Sequence, residues 1–315
     1  MSFSNYPNGF NKVTVRGLPL TMQYPGEVFW VDGSSITPPA GVVGGNDGNI
    51  GSFQKPFATI DFAIGKCIAS RGDIIIVKPG HTETVIADGG ITADVADVAI
   101  IGLGSGTSRP TVTFTTAAAA AVAVSAANVT MMNIVFTAGF ADVTNAIDVT
   151  AAEFNLLNCE FNESGANLNY VDVIAATGAA NTADGLHIEG CVSSAIDAAI
   201  NSFLSITDDL DRLVCNHNLV VHDHANALAM ILCATGKDLT NCQVNWNEYH
   251  SLKATGDILI DNDTTANSGT VAYNVASHAD TVGEVLIDCD GVGMFENYAT
   301  GVITASGYIL PARDS

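Results

Sequence analysis

The sequence predicts an all-β solenoid, a stack of short strands in which each turn of chain lies on the one before. Three observations carry that prediction. Residues 123–136 (AVSAANVTMMNIVF) and 148–161 (DVTAAEFNLLNCEF) share one pattern: an alternating apolar run, a small or polar corner, then a second apolar run that meets Asn133 or Asn158. Taking Val124, Val149, Ile174, Ile206, Leu232, Ile260 and Ile287 as equivalent points gives steps of 25, 25, 32, 26, 28 and 27 residues, a solenoid period. Hydrophobic residues make up 48% of the 315 and charged ones only 14%, so the chain can bury one long core without dividing into separate domains.

Residues 1–45 do not follow the repeat. Pro7, Gly9, Gly17, Pro19, Pro25, Gly26, Pro38 and Pro39 interrupt them. They read as an N-terminal arm, either a lid on the first coil or a docking segment. If the arm docks, its aromatic residues Phe10, Tyr24, Phe29 and Trp30 are the candidate partner-binding residues. A turn-rich loop follows at residues 44–57 (GGNDGNIGSFQKPF), where Asp47 and Asn49 form only an incomplete calcium-loop pattern.

Residues 58–70 place Ile60, Ala63, Ile64, Cys67 and Ile68 on one helical face, with Thr59 as N-cap and Gly72 as the stop. An amphipathic helix there would cover the exposed end of a β-stack. Residues 72–80 (GDIIIVKPG) read as a buried strand ending in a turn, and residues 82–87 as a second strand.

The coils then run to about Tyr298, with longer loops at residues 177–184 and 261–268. Asn133, Asn158, Asn216, Asn241, Asn274 and Asn297 are read as one structural ladder at a corner, because asparagine tolerates the left-handed backbone that a repeated bend requires. Residues 301–315 hold one more strand-like piece, Tyr308-Ile309-Leu310, and cover the last coil.

Several classes of function are disfavoured. With 11 Lys and Arg against 33 Asp and Glu the formal charge is −22, so nucleic acid is not an expected partner. The longest apolar run, residues 117–124, is far short of a membrane span, and residues 1–10 show no secretory signal pattern. Seven cysteines without a CxxC pair suggest neither a disulfide framework nor a zinc site. Cys159, Cys191, Cys215 and Cys242 lie about one coil apart and read as a column of buried thiols.

Two clusters are candidates for chemistry. Asp208, Asp209 and Asp211 beside Arg212 form the most acid-rich stretch, read here as a solvated corner. His217, His222, Asp223 and His224 form the densest polar cluster; His222 and His224 share a strand face, and His250 is a possible third metal ligand from the next coil. Surface histidines at a corner are the preferred reading, and no metal or cofactor is expected.

Pro56-Phe57 with Thr59-Ile60, an alanine-bearing helix, then Gly72-Asp73, Pro79-Gly80 and Glu83 resemble the opening of pectin-lyase-like right-handed parallel β-helix proteins. The resemblance implies that coils fill residues 46–300, capping helix 58–70 included. Many proteins of that fold cleave acidic polysaccharides, but the Gly-His-Gly turn and Arg-x-Lys stretch of its hydrolases are missing here. Residues 25–31, 56–67 and 78–81 further resemble uncharacterised β-helix proteins of tailed phages. That resemblance implies a virion protein made in the bacterial cytoplasm. The expected function is a non-enzymatic capsid decoration or cement protein that binds the major capsid protein and forms a homotrimer on the phage head. The alternatives are a tail spike or receptor-binding protein for host polysaccharide, with exposed aromatics stacked on one face, and a polysaccharide lyase or hydrolase.

Overall fold

The computed structural model describes residues 14–15, 18–19, 26–34, 37–38, 40–195, 200–222, 228–252, 259–262, 264, 266–277, 287–300 and 307–308. Within them the chain winds as a parallel β-helix of three long sheets. Sheet 1 has ten strands, from Val28–Val31 to Val292–Phe295, and sheet 3 has eight, from Ile91–Ala93 to Ile287–Cys289. Sheet 2 has ten, from Thr82–Val85 to Tyr298–Thr300 with a final antiparallel strand at Gly307–Tyr308. One coil shows the plan: Val122–Val124 in sheet 3, Thr130–Met132 in sheet 1, Val135–Ala138 in sheet 2.

Alternation along each strand sends one set of side chains inward. Val124 stacks on Val149, and Ile147 on Ile174. Aromatic rings continue the stacking in sheet 2, where Phe136 and Phe161 lie in register with centroids 5.2 Å apart and planes 16° apart. The repeat read from the sequence is correct in period and slips in register. Val149 pairs with Ala176, two residues beyond the expected Ile174, and Ile206 pairs with Cys233, one beyond the expected Leu232.

Two corners recur in every coil, and both use left-handed backbone. Between sheets 3 and 1 the recurring position of positive φ is held by Ser70, Asp97, Asn128, Glu153, Gly185, Arg212 and Asn241 in successive coils. Between sheets 1 and 2, from the third coil onward, it is held by Asn133, Asn158, Gly190, His217, Trp246, Tyr273 and Glu296. At the second corner, from Asn133 to Tyr273, each N–H donates to a carbonyl of the next coil, as from Asn158 to Glu189 at 2.9 Å and from Trp246 to Ala272 at 3.1 Å.

The N-terminal end departs from expectation in its helix and in its arm. The capping helix spans only Ile60–Ile64, because Gly65 lies just beyond it and the Ile68 N–H donates to Asp73 Oδ2 at 2.8 Å instead of continuing the helix. Asp47 is not a calcium ligand in waiting: its carboxylate accepts the N–H groups of Ala58 at 2.8 Å and Thr59 at 3.2 Å, just ahead of the helix. The arm is also shorter than residues 1–45. Val28–Val31 pair in parallel with Ile74–Val77, and the Glu27 N–H donates to the Asp73 carboxylate at 2.7 Å.

Phe29 therefore faces the core, 8% exposed and 5.8 Å from the Phe57 ring, so it is not a surface for a partner. Trp30 lies half-buried on the outer side of sheet 1, edge-on to Phe53 at 5.0 Å. Phe10 and Tyr24 lie outside the described residues. At the other end, the strand expected at Tyr308 is there: Tyr308 pairs with Tyr298 and covers the last strand of sheet 2.

The cysteines do not form the single column expected of them. Cys159 and Cys191 directly follow the second corner, Cys215 lies inside sheet 1 over Ile188, and Cys242 opens the next strand of that sheet. All four are buried free thiols. No helix is long and apolar enough to cross a membrane among the described residues.

Candidate functional site

The second corner holds the most unusual surface of the rod. Its left-handed position is taken by asparagine or glycine in the coils of Asn133, Asn158 and Gly190, then by His217, Trp246 and Tyr273. A bulky residue held in that backbone region costs about 1–3 kcal/mol, which asparagine largely and glycine wholly avoids.

The residue after the corner explains how the fold tolerates the cost. It points inward and reads Ile134, Cys159, Cys191, Asn218, Asn247, Asn274, Asn297 in successive coils. The four asparagines form a buried ladder, each linked to the next through the following Oδ1, with Asn247 N to Asn274 Oδ1 at 2.9 Å and Asn274 N to Asn297 Oδ1 at 3.1 Å. Their Nδ2 groups donate to the carbonyls of Ile188, Cys215, Val244 and Val271 at 2.8–3.2 Å. This interior lock pins the corner, so the side chain just before it stands outward whatever its own preference.

Outside, Trp246 and Tyr273 stack with centroids 4.3 Å apart and planes 14° apart, and His217 lies parallel to Trp246 at 6.2 Å. Trp246 is 54% exposed and Tyr273 40%, with Phe295 at 57% one coil on. Stacked along the rod, the rings turn their edges to solvent. The Trp246 indole N–H and the Tyr273 hydroxyl make no hydrogen bond among the described residues. Both are donors available to a ligand.

Polar groups flank this ledge on both sides. Glu189, on the sheet 1 side, holds His187 Nε2 at 2.9 Å and lies 3.7 Å from His217 Nδ1. Glu248, on the sheet 2 side, holds His250 Nε2 at 2.8 Å, and His250 Nδ1 meets Ser277 Oγ at 2.6 Å. Leu219 and Val275 stand exposed in the same outward column as Glu248. The arrangement offers flat apolar rims, hydrogen-bond donors and carboxylate acceptors in one strip along several coils.

The candidates read from the sequence fall in different places. Asn133 and Asn158 occupy the left-handed second corner as expected, while Asn274 and Asn297 belong to the inward ladder one residue later. Asn216 lies at the outer end of a sheet 1 strand, and Asn241 sits at the first corner. Asn218 and Asn247 were missed, although the triplets NHN and NWN place an asparagine after each exposed ring one period apart.

Asp208, Asp209 and Asp211 are structural braces. Asp208 pairs with Lys237 Nζ at 2.6 Å, Asp209 accepts the Asp238 N–H at 3.0 Å, and Asp211 accepts from Asn241 Nδ2 at 2.7 Å and Thr240 Oγ1 at 2.8 Å. The Lys237 contact holds the Asp208 carboxyl below its ordinary range, and the Asn241 and Thr240 bonds do the same for Asp211. Neither is poised as a proton donor.

His222 is fully buried against the Tyr249 ring at 5.7 Å, and burial pushes its pKa down to about 3. His250 belongs to the outward column of the same sheet, so the two do not converge on a metal. Asp223 and His224 lie outside the described residues. No cluster of three or more metal-ligating side chains occurs among the described residues.

No known family model matches the chain, and no curated protein does. Two solved structures align with much of the chain. One is named as a rhamnogalacturonan lyase, with a TM-score of 0.50 at 13% identity over 87% of this chain and 74% of that one. The other is a GH136 lacto-N-biosidase from Eubacterium ramulus, with a TM-score of 0.37 at 11% identity over 88% and 68%. At 13% identity the likeness to the first shows the fold alone, the parallel β-helix described above. It also corrects the expectation of a non-enzymatic protein. The rod that this chain matches at 0.50 bears the name of a lyase, so the fold gives no ground for excluding catalysis.

Proposed function

We propose that this β-helix recognises a glycan along the second corner, with Trp246 and Tyr273 as the reading residues. The observation that carries the proposal is the exposed Trp246–Tyr273 stack on left-handed backbone, where a small residue would be easier to accommodate. Exposed strain at a surface is maintained by use, and a sugar offers what this ledge lacks: ring oxygens and hydroxyls for the indole N–H and phenol O–H, and C–H faces for the apolar rims. Glu189 and Glu248 supply acceptors for further hydroxyls.

Among the roles expected from the sequence, this is the receptor-binding one, whose mark was a stack of exposed aromatics. A virion setting is carried with it as part of the proposal. Immunogold labelling of purified particles tests that setting: label at the tail supports it, dense label on the head favours decoration, and absence of label removes both.

The binding reading is tested by titrating a glycan panel into the wild-type protein and into Trp246→Ala and Tyr273→Ala, with reducing-end release measured in parallel to detect cleavage. Binding by the wild type that weakens at least about tenfold in either variant supports it. No binding across the panel, or binding indifferent to both variants, overturns it. If the wild type is an oligomer that Trp246→Ala dissociates, the ledge is a contact between copies of this chain and the reading fails.

A further inference from the structure

We infer that the glycan read by the second corner is uncharged, an inference that rests on the binding function proposed above. The reason is the charge on either side of the ledge. Glu189 borders it on sheet 1, Glu248 on sheet 2, and Glu296 takes the left-handed position one coil beyond Tyr273. Along this corner, from Gly190 to Glu296, no lysine or arginine stands beside the ledge among the described residues. Arg212 and Lys237 are at the opposite corner, engaged with Glu153 and Asp208 at 2.7 and 2.6 Å. Arg109 lies near Asn158, coils earlier, with its guanidinium on Glu160 at 2.7 Å.

A polyuronate brings one carboxylate per sugar, spaced much as the coils are spaced, about 4.8 Å. Laid along the ledge it would set like charges against Glu189 and Glu248, with no lysine or arginine beside them among the described residues, and like-charge contact of this kind suppresses a partner strongly. A formal charge of −22 on the whole chain adds a long-range repulsion of the same sign. A neutral glycan meets none of this. Its hydroxyls donate to Glu189 and Glu248, and its oxygens accept from Trp246 and Tyr273. Specificity against acidic chains is thus built from the carboxylates, while affinity comes from the rings.

The test compares neutral gluco- and galacto-hexasaccharides with a hexagalacturonate on three proteins: wild type, Trp246→Ala, and Glu189→Gln with Glu248→Gln. The wild type is expected to bind a neutral hexasaccharide at least about tenfold more tightly than the uronate, and the double glutamine variant to narrow that gap, most clearly at low salt. Uronate binding equal to or tighter than neutral binding, yet abolished by Trp246→Ala, overturns this inference and leaves the binding function standing. Binding of neither class, or binding unaffected by Trp246→Ala, overturns both. A preference for neutral glycans that the double variant leaves unchanged shows that the carboxylates do not set it, and the inference fails on that point.

Discussion

Asn247 Oδ1 accepts two hydrogen bonds from one residue of the preceding coil, the backbone N–H and the side-chain Nδ2–H of Asn218, each at 3.0 Å. A single amide thereby satisfies a buried corner of one coil and, through its own Nδ2, the Cys215 carbonyl at 2.8 Å. Asn247→Leu keeps the branched outline of the side chain and deletes the donors and acceptor, leaving buried groups of Asn218 and Cys215 unpaired. The expected loss is about 3 kcal/mol, read as a lower urea midpoint at unchanged slope. A loss below about 1 kcal/mol would show that the ladder is not what holds the corner.

Trp246→Asn places at this corner the residue that the same column uses at Asn133 and Asn158. Relief of left-handed strain opposes the loss of the stack on Tyr273, so stability should change by no more than about 1 kcal/mol while glycan affinity is lost. Thermal unfolding and titration on the same sample separate the two. A variant that is strongly destabilised would assign the stack to folding.

His222 gives the stability curve an acid limb. Its pKa in the fold is depressed to about 3, against about 6.5 when exposed, so the unfolded chain takes up a proton first as the pH falls. The contribution is complete above pH 6.5 and is lost progressively down to about pH 3, by roughly 3 kcal/mol between pH 7 and pH 4. His222→Leu should remove this part of the slope when urea unfolding is compared at the two pH values. An unchanged slope would place the acid sensitivity elsewhere.

Arg109 ties three coils together through Glu160 Oε2 at 2.7 Å, the Asn158 carbonyl at 2.7 Å and the Ile134 carbonyl at 3.3 Å. Lysine keeps the charge and loses the planar fork, so Arg109→Lys should cost about 1–2 kcal/mol and lower the melting temperature by several degrees. A melting temperature equal to the wild type would mean that one charge suffices there.

How much of this was legible in the sequence follows from where the information is local. Strand alternation and coil length leave a period, and the period was readable at Val124 and Val149. Register was not, because the seven-residue strand Tyr170–Ala176 carries apolar residues at both Ile174 and Ala176. The asparagines illustrate the same limit. An asparagine signals a bend at Asn133 and Asn158 by its own backbone preference, whereas Asn218 and Asn247 matter through bonds to other coils that no local preference records. The left-handed Trp246 ran against preference and so gave no local sign, although the triplet NWN spaced from NHN marks it in retrospect. The helix ends at Ile64 although the apolar spacing of residues 58–70 continues past Gly65, because Asp73, outside the helical pattern, takes the Ile68 N–H.

The asparagine ladder has a direction. In each bond between asparagines, from Asn218 to Asn297, the earlier coil donates and the later coil accepts, while the later Nδ2 donates back to a carbonyl of the coil before. On a ribosome the donors emerge first and wait, hydrated, until the chain about 23–29 residues further on supplies the next Oδ1. The C-terminal half of the rod therefore closes its corners from behind, each new coil completing its predecessor, and release of the last asparagine is the event that seals the series.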